Sequence, residues 1–263
     1  MFKLGFIGSG NMAGALIKGI IDSKLYDPSE IAVGDPSQIK LNEMLNMYGV
    51  GTYSDNDSLV RNCETIVLAI KPQIVEPVLK KLSFSDSKLF ISILSGITTK
   101  TLENLLPAKT RVIRAMPNMP ALVHKACTVI AAGAHTDTCD MQLAKEIFES
   151  VGVVDTVDES EINAIAAISG SGPAYFYLIL EAMADAGVQA GLNREFALKL
   201  AAHTAIGSAR MVLETGEHPA ALKDMVTSPG GTTIDALYEF EKGSLRYTIM
   251  TGVKAAVLKA YNS

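Results

Sequence analysis

A short apolar strand that runs straight into a glycine-rich turn and then a helix constrains this chain more than any other feature. Residues 3–7 form the strand, Gly8-Ser9-Gly10-Asn11-Met12-Ala13 the turn, and an amphipathic helix continues to about Asp22. The turn fits GxGxx(G/A): Gly8 allows a sharp bend, Gly10 lets the backbone approach a pyrophosphate, and Ala13 is small where helix meets strand. The unpaired N–H groups at the positive end of the helix suit an anion there. Glycine turns join strands to helices in many proteins. Here the order is the required one, and an acidic residue, Asp35, stands about 20 residues beyond the turn, as a dinucleotide ribose needs.

Residues 31–33, 65–70, 89–93, 112–113 and 127–131 read as further strands, with helix-patterned segments between most of them. That alternation predicts an α/β domain, a doubly wound parallel sheet of Rossmann type covered on both faces. Ligands of such sheets lie at the carboxyl ends of the strands. The candidate cofactor contacts are therefore Ile7, the turn residues 8–13, Ala69, Ile70, Lys71, Pro72, Ser95, Gly96 and Asn118, with Asn56 on the adenosine side. Asp35 has two readings. It accepts the ribose 2′-hydroxyl, which favours NAD(H) since no arginine stands near to clamp a 2′-phosphate and only Ser37 and Lys40 could partly serve, or it merely starts the turn Asp35-Pro36-Ser37.

Near Glu159 the character changes, and no convincing strand follows. The expected division is residues 1–158 as the dinucleotide-binding domain and 159–263 as an all-α domain. Ser171 and Pro173 open one helix and Asn193 caps the next, which runs to Thr215-Gly216. Pro219 opens a short helix, Thr232 or Thr233 caps another, and Gly243-Ser244 separates the last. Between two of these helices lies Ser228-Pro229-Gly230-Gly231-Thr232-Thr233. Its glycines free backbone N–H groups to converge at a helix start, either as a small site suited to one carboxylate or as a flexible linker with an N-cap.

Mean hydropathy is +0.25 and net charge −5, with no cluster of Lys and Arg. A nucleic-acid surface is excluded on that basis, and the excess of apolar helix surface predicts self-association. Residues 162–180 carry no charge, but Ser169-Gly170-Ser171-Gly172-Pro173 should break them into two buried helices joined by a tight turn, so no membrane segment is expected. Cys63, Cys127 and Cys139 lack CxxC spacing and read as reduced cytoplasmic thiols. The four histidines show no metal spacing, and His218 before Pro219 reads as a helix start. No metal site and no evident general base are expected.

With these residues in hand, the chain resembles the pyrroline-5-carboxylate reductases over almost its whole length. The resemblance runs through GFIGSGNMAGAL at 5–16, VLAIKPQ at 67–73, RVIRAMPNMPALV at 111–123, SGSGPAYFYLILEAMADAG at 169–187 and LKDMVTSPGGTTIDAL at 222–237. It implies NAD(P)H-dependent reduction of a small-molecule substrate, the cyclic imine 1-pyrroline-5-carboxylate, to L-proline, with a helical domain that dimerises and joins further into a ring. By the same resemblance Ser228, Gly230, Gly231, Thr232 and Thr233 hold the substrate carboxylate, and the Thr233 hydroxyl meets the ring nitrogen as the catalytic contact. Two positions depart from the family. Asp35-Pro36 stands where a 2′-phosphate reader is common, and Met225 where some members have Asn. A β-hydroxyacid dehydrogenase has the same two-domain plan but needs a helical lysine that residues 171–180 lack. A non-catalytic dinucleotide sensor is the third reading.

Overall fold

Alternation along Phe2–Ile7 (β1) sends Leu4 and Phe6 to one face of a sheet and Ile7 to the other. In the computed structural model, which describes residues 1–84 and 88–261, all three are fully buried. Seven strands join β1: Ile31–Gly34 (β2), Gly51–Tyr53 (β3), Cys63–Leu68 (β4), Leu89–Ser92 (β5), Arg111–Met116 (β6), Ala126–Ala132 (β7) and Gly152–Thr156 (β8). Their order is β3-β2-β1-β4-β5-β6-β7-β8. β1 lies between β2 and β4, so strand order reverses beside it, the crevice where such sheets take ligands.

Helices Asn11–Asp22 (α1), Gln38–Tyr48 (α2), Asn56–Arg61 (α3), Val75–Leu79 (α4), Thr99–Leu105 (α5) and Thr138–Glu149 (α6) accompany the sheet. Leu16, Ile17 and Ile20 of α1 pack with Leu4, Phe6 and Val33 on one face, while Leu59 and Val60 of α3 pack with Ile7, Ile66 and Leu68 on the other. Each large side chain removed from water in this way contributes roughly 1.5–3 kcal/mol.

The expected doubly wound sheet is present, with three differences. β3 and β8 carry no long apolar run, because they are edge strands with little to bury. β6 extends on both sides of Val112-Ile113, since Arg114 is buried and paired rather than solvated. β7 runs antiparallel to β6, because the short turn Met119–Val123 leaves no room for a crossover helix.

Helices Ile162–Ile165 (α7), Gly172–Gln189 (α8), Arg194–Thr215 (α9), Pro219–Met225 (α10), Thr232–Lys242 (α11) and Leu245–Tyr261 (α12) complete the described chain. Two compact units result: the described residues of Met1–Ser171 and Val257–Ser263, and those of Gly172–Ala256. Residues just past 158 thus pack with the sheet unit. Glu159 accepts hydrogen bonds from the Thr99 N–H and hydroxyl at 2.7 Å each, and Ile162 packs on Val129 and Ala131. Residues 262 and 263 of the expected second domain lie outside the described residues.

The tight turn expected at 169–173 is absent. Ala166–Gly170 forms one widened helical turn, with Ser171 N–H donating to the Ala166 carbonyl at 2.9 Å. Ser171 has helical backbone angles and is not an N-cap, while Pro173 sits in the first turn of α8, where a missing N–H is harmless. The run Glu159–Gln189 is therefore long and apolar enough, by length and composition, to cross a membrane. It is not the buried pair expected: only 17% of its most apolar window is buried within one chain.

Candidate functional site

Gly8 leaves β1 with φ +103°, and a Cβ there would lie 2.6 Å from the Ala69 carbonyl oxygen. Only glycine fits that bend. A Cβ at Gly10, the N-cap residue of α1, would meet nothing within 4 Å, and no side chain caps that helix end. The first-turn N–H groups of α1 therefore have no intrahelical partner and no side-chain acceptor. Beside them opens a cleft of about 540 Å³, lined by Gly8, Ser9, Gly10, Asp35, Asn56, Ala69, Ile70 and Lys71 of the expected residues. Gly34, Pro36, Lys40, Ser54, Asp55, Asp57, Ile74, Val78, Lys81 and Leu82 complete it. Ser54, Asp55, Asp57 and Ile74 were not legible as site residues, since they reach the cleft from the end of β3, the start of α3 and the turn before α4, which no motif marks.

Asp35, at the end of β2, is only 8% exposed. Its Oδ2 accepts from the Ser9 hydroxyl at 2.7 Å and the Ser9 N–H at 3.2 Å, and its Oδ1 from the Ser37 N–H at 2.9 Å. Burial alone would raise its pKa. The Ser9 and Ser37 hydrogen bonds, with Lys40 nearby, outweigh that and hold the carboxyl below the ordinary value. Asp35 therefore makes the turn and also lines the cleft. Asn56 Oδ1 is buried against Gly34 without a hydrogen-bond partner, and a Cβ at Gly34 would lie 2.6 Å from it.

The other expected residues do not line this cleft, although Asn11, Met12 and Ala13 carry the first-turn N–H groups of α1 beside it. Ile7 and Ala13 are fully buried, holding β1 against its neighbours and α1 against the sheet. Met12 packs on the same core, and Asn11 lines an adjoining depression between α1 and α2 that shares Ser9 and Gly10 with the cleft. Pro72 starts the turn before α4. Ser95 and Gly96, in the turn after β5, lie at a different strand exit. Asn118 is spent internally: its amide NH₂ donates to the Ser169 carbonyl at 2.9 Å and its Oδ1 accepts from the Cys127 N–H at 3.0 Å.

In the helical unit, Gly230 has φ +65°, and the Gly231 N–H donates to the Ser228 carbonyl at 3.1 Å, closing a turn. A Cβ at Gly231 would fall 2.4 Å from Ser228 Oγ. The N-cap of α11 is Gly231, with no side-chain cap hydrogen bond, so neither Thr232 nor Thr233 caps it as expected. Both lie inside the first turn, where their N–H groups are among the unpaired donors. His218 does start α10: its Nδ1 accepts from the Ala220 N–H at 3.2 Å. Asn193 caps α9 through the Glu195 and Phe196 N–H groups. The three cysteines are free, and among the described residues no group of three or more His, Cys, Asp or Glu could hold a metal.

A glycine-turn cleft at the reversal of a mostly parallel sheet, followed by a helical unit with its own glycine-rich helix start, defines a dinucleotide-binding α/β protein with an appended helical domain. Comparison with known proteins carries this further. The family model described as pyrroline-5-carboxylate reductase dimerisation matches residues 159–262, and the one described as NADP oxidoreductase coenzyme F420-dependent matches residues 3–96. A pyrroline-5-carboxylate reductase of Arabidopsis thaliana is 40% identical over 98% of this chain and 94% of its own length. The structure of the Coxiella burnetii enzyme superposes with a TM-score of 0.89 at 40% identity, covering 99% of this chain and 98% of that one. That of Plasmodium falciparum pyrroline carboxylate reductase with NADP bound gives 0.90 at 35% identity, covering 98% and 97%. The chain belongs to the pyrroline-5-carboxylate reductase family.

Proposed function

We propose that this chain reduces 1-pyrroline-5-carboxylate to L-proline, with NAD(P)H in the cleft beside Gly8–Gly10 and the imine at the loop Ser228–Thr233. The observation that carries the reading is full-length family membership in a chain that keeps both glycine-rich helix starts uncapped by side chains. The residues fit the dinucleotide: the bend at Gly8, the open face at Gly10, the donors of α1 and the Asp35 acceptor. When bound, the nicotinamide supplies a hydride.

The chain's own residues then have limited work. The first-turn N–H groups of α11 and the positive end of its dipole hold the substrate carboxylate, with Ser228, Gly230, Gly231 and Thr232 shaping the turn. The Thr233 hydroxyl orients the ring nitrogen. A protonated imine is already electrophilic, so orientation and exclusion of water suffice, and no titrating base is required.

The helical unit serves self-association. Within one chain its buried residues in α8 and α9 are Gly172, Ala184, Ala197 and Ala201, while Phe176 is 60% and Leu213 83% exposed. A second copy covers that apolar surface, including the run 159–189. A cytoplasmic location accords with three free thiols. The test of the function is oxidation of NADH or NADPH that depends on pyrroline-5-carboxylate and yields proline. Binding of dinucleotide without turnover would favour the sensor reading instead.

A further inference from the structure

Six charged residues line the dinucleotide cleft: Asp35, Asp55, Asp57, Lys40, Lys71 and Lys81. Two of the carboxylates have other work. Asp55 caps α3 through the Ser58 N–H at 2.9 Å, and Asp57 pairs with Arg61 and accepts from the Ser83 N–H at 2.6 Å. Asp35 is held against the glycine-rich turn itself, and Ser9, the central residue of that turn, is only 7% exposed. Both donors of Ser9, its N–H and its hydroxyl, go to Asp35 Oδ2. Oδ2 is then saturated, and with Ser37 N–H on Oδ1 one acceptor position remains, on Oδ1.

We propose that Ser9 is a positioning residue that locks Asp35 as the acceptor for the ribose 2′-hydroxyl, so that this cleft selects NADH over NADPH. The inference rests on the dinucleotide reading of the cleft given above. A fixed carboxylate with one open acceptor position takes an O–H donor well and repels a 2′-phosphate. Neither Ser9 donor is free to compensate that repulsion, because each is already spent on the same oxygen. The hydrogen bonds that hold the Asp35 carboxyl below its ordinary pKa also keep it charged at neutral pH, burial notwithstanding. Lys40 is the rival group. It lies near Asp35 and lines the cleft, but it is exposed, and solvent screens an exposed charge.

The test is the ratio of NADH to NADPH dissociation constants, read by nucleotide fluorescence on the full chain, with pyrroline-5-carboxylate turnover followed separately. The unaltered chain should bind NADH tighter by about tenfold or more, in line with a like-charge clash at a partly desolvated site. Asp35→Ser should bring the ratio close to one. Ser9→Ala should narrow it in the same direction by a smaller factor, and Ser9→Thr, which keeps the hydroxyl, should restore it. Equal or tighter binding of NADPH by the unaltered chain would overturn the inference. So would a ratio unmoved by Ser9→Ala, or loss of NADPH binding in Lys40→Ala beside an unmoved Asp35→Ser. A preserved ratio without turnover would sink the proposed reaction and leave this inference standing. Failure to bind either nucleotide would overturn the cleft reading and this inference with it.

Discussion

In the sheet unit Phe6, Phe90 and Phe148 are fully buried, whereas in the helical unit Phe176, Phe196 and Phe240 are 60%, 52% and 55% exposed within one chain. The same residue type thus does opposite things in two parts of one molecule. A sheet with helices on both faces closes its own core, so the dinucleotide cleft sits on a scaffold that needs no partner. The helices Gly172–Ala256 bury little beyond small side chains where α8 meets α9, which leaves their apolar surface for association to cover. On the proposed function, binding of dinucleotide belongs to the first region and handling of the imine to the second.

The largest expected effect falls on the self-sufficient region. Phe6→Ala opens a cavity in a core that cannot collapse, costs about 3–5 kcal/mol, and should abolish NADH binding through unfolding, as denaturant titration would show. A loss well under 1 kcal/mol would mean that the sheet core is not what supports the cleft. In the other region Phe176→Asp should convert the assembly to smaller species by light scattering and remove imine reduction, while NADH affinity changes little. A mutant that stays associated would break the contrast, as would an unaltered chain that is a stable, active monomer at micromolar concentration.

Smaller effects sharpen it. His218→Ala removes an N-cap contact to α10 and should lower stability by roughly 0.5–1 kcal/mol without altering the pH profile of turnover. A flattened profile would make His218 a base after all. Among the thiols, exposed Cys139 should label at once. Cys63, fully buried with its thiol pushed up to about 12 by burial, should label only as fast as the sheet opens. Fast labelling of Cys63 at neutral pH would deny the sheet unit its rigidity.

What could be read from the residues divides along the same line. The strand–turn–helix at Gly8–Ala13 and the runs that became β4 and β5 were legible because a self-contained core writes itself into local apolar patterns. Caps whose side chains bond the next turn, Asn193 and His218, were legible for the same local reason. The antiparallel turn of β7 was not, because strand direction depends on connection length and not on pattern. Nor were the widened turn at Ala166–Gly170 or the internal use of Asn118, which depend on residues distant in sequence. Thr232 or Thr233 was expected as the cap, but glycine at position 231 fills that role with its backbone alone. The expected contribution of Thr233 changes accordingly: Thr233→Ala should leave the stability of α11 nearly intact.

That change allows a clean measurement of the division of labour. In Thr233→Ala, kcat/KM for pyrroline-5-carboxylate should fall by roughly 1.5–3 kcal/mol, about ten- to a hundredfold, because a hydrogen bond to the reacting nitrogen is lost. The NADH dissociation constant, measured on the same sample, should not move, since the cleft belongs to the other unit. Thr233→Ser should retain most activity. Near-native kcat/KM in Thr233→Ala would contradict the account, leaving the loop at Ser228–Thr233 a helix start and nothing more.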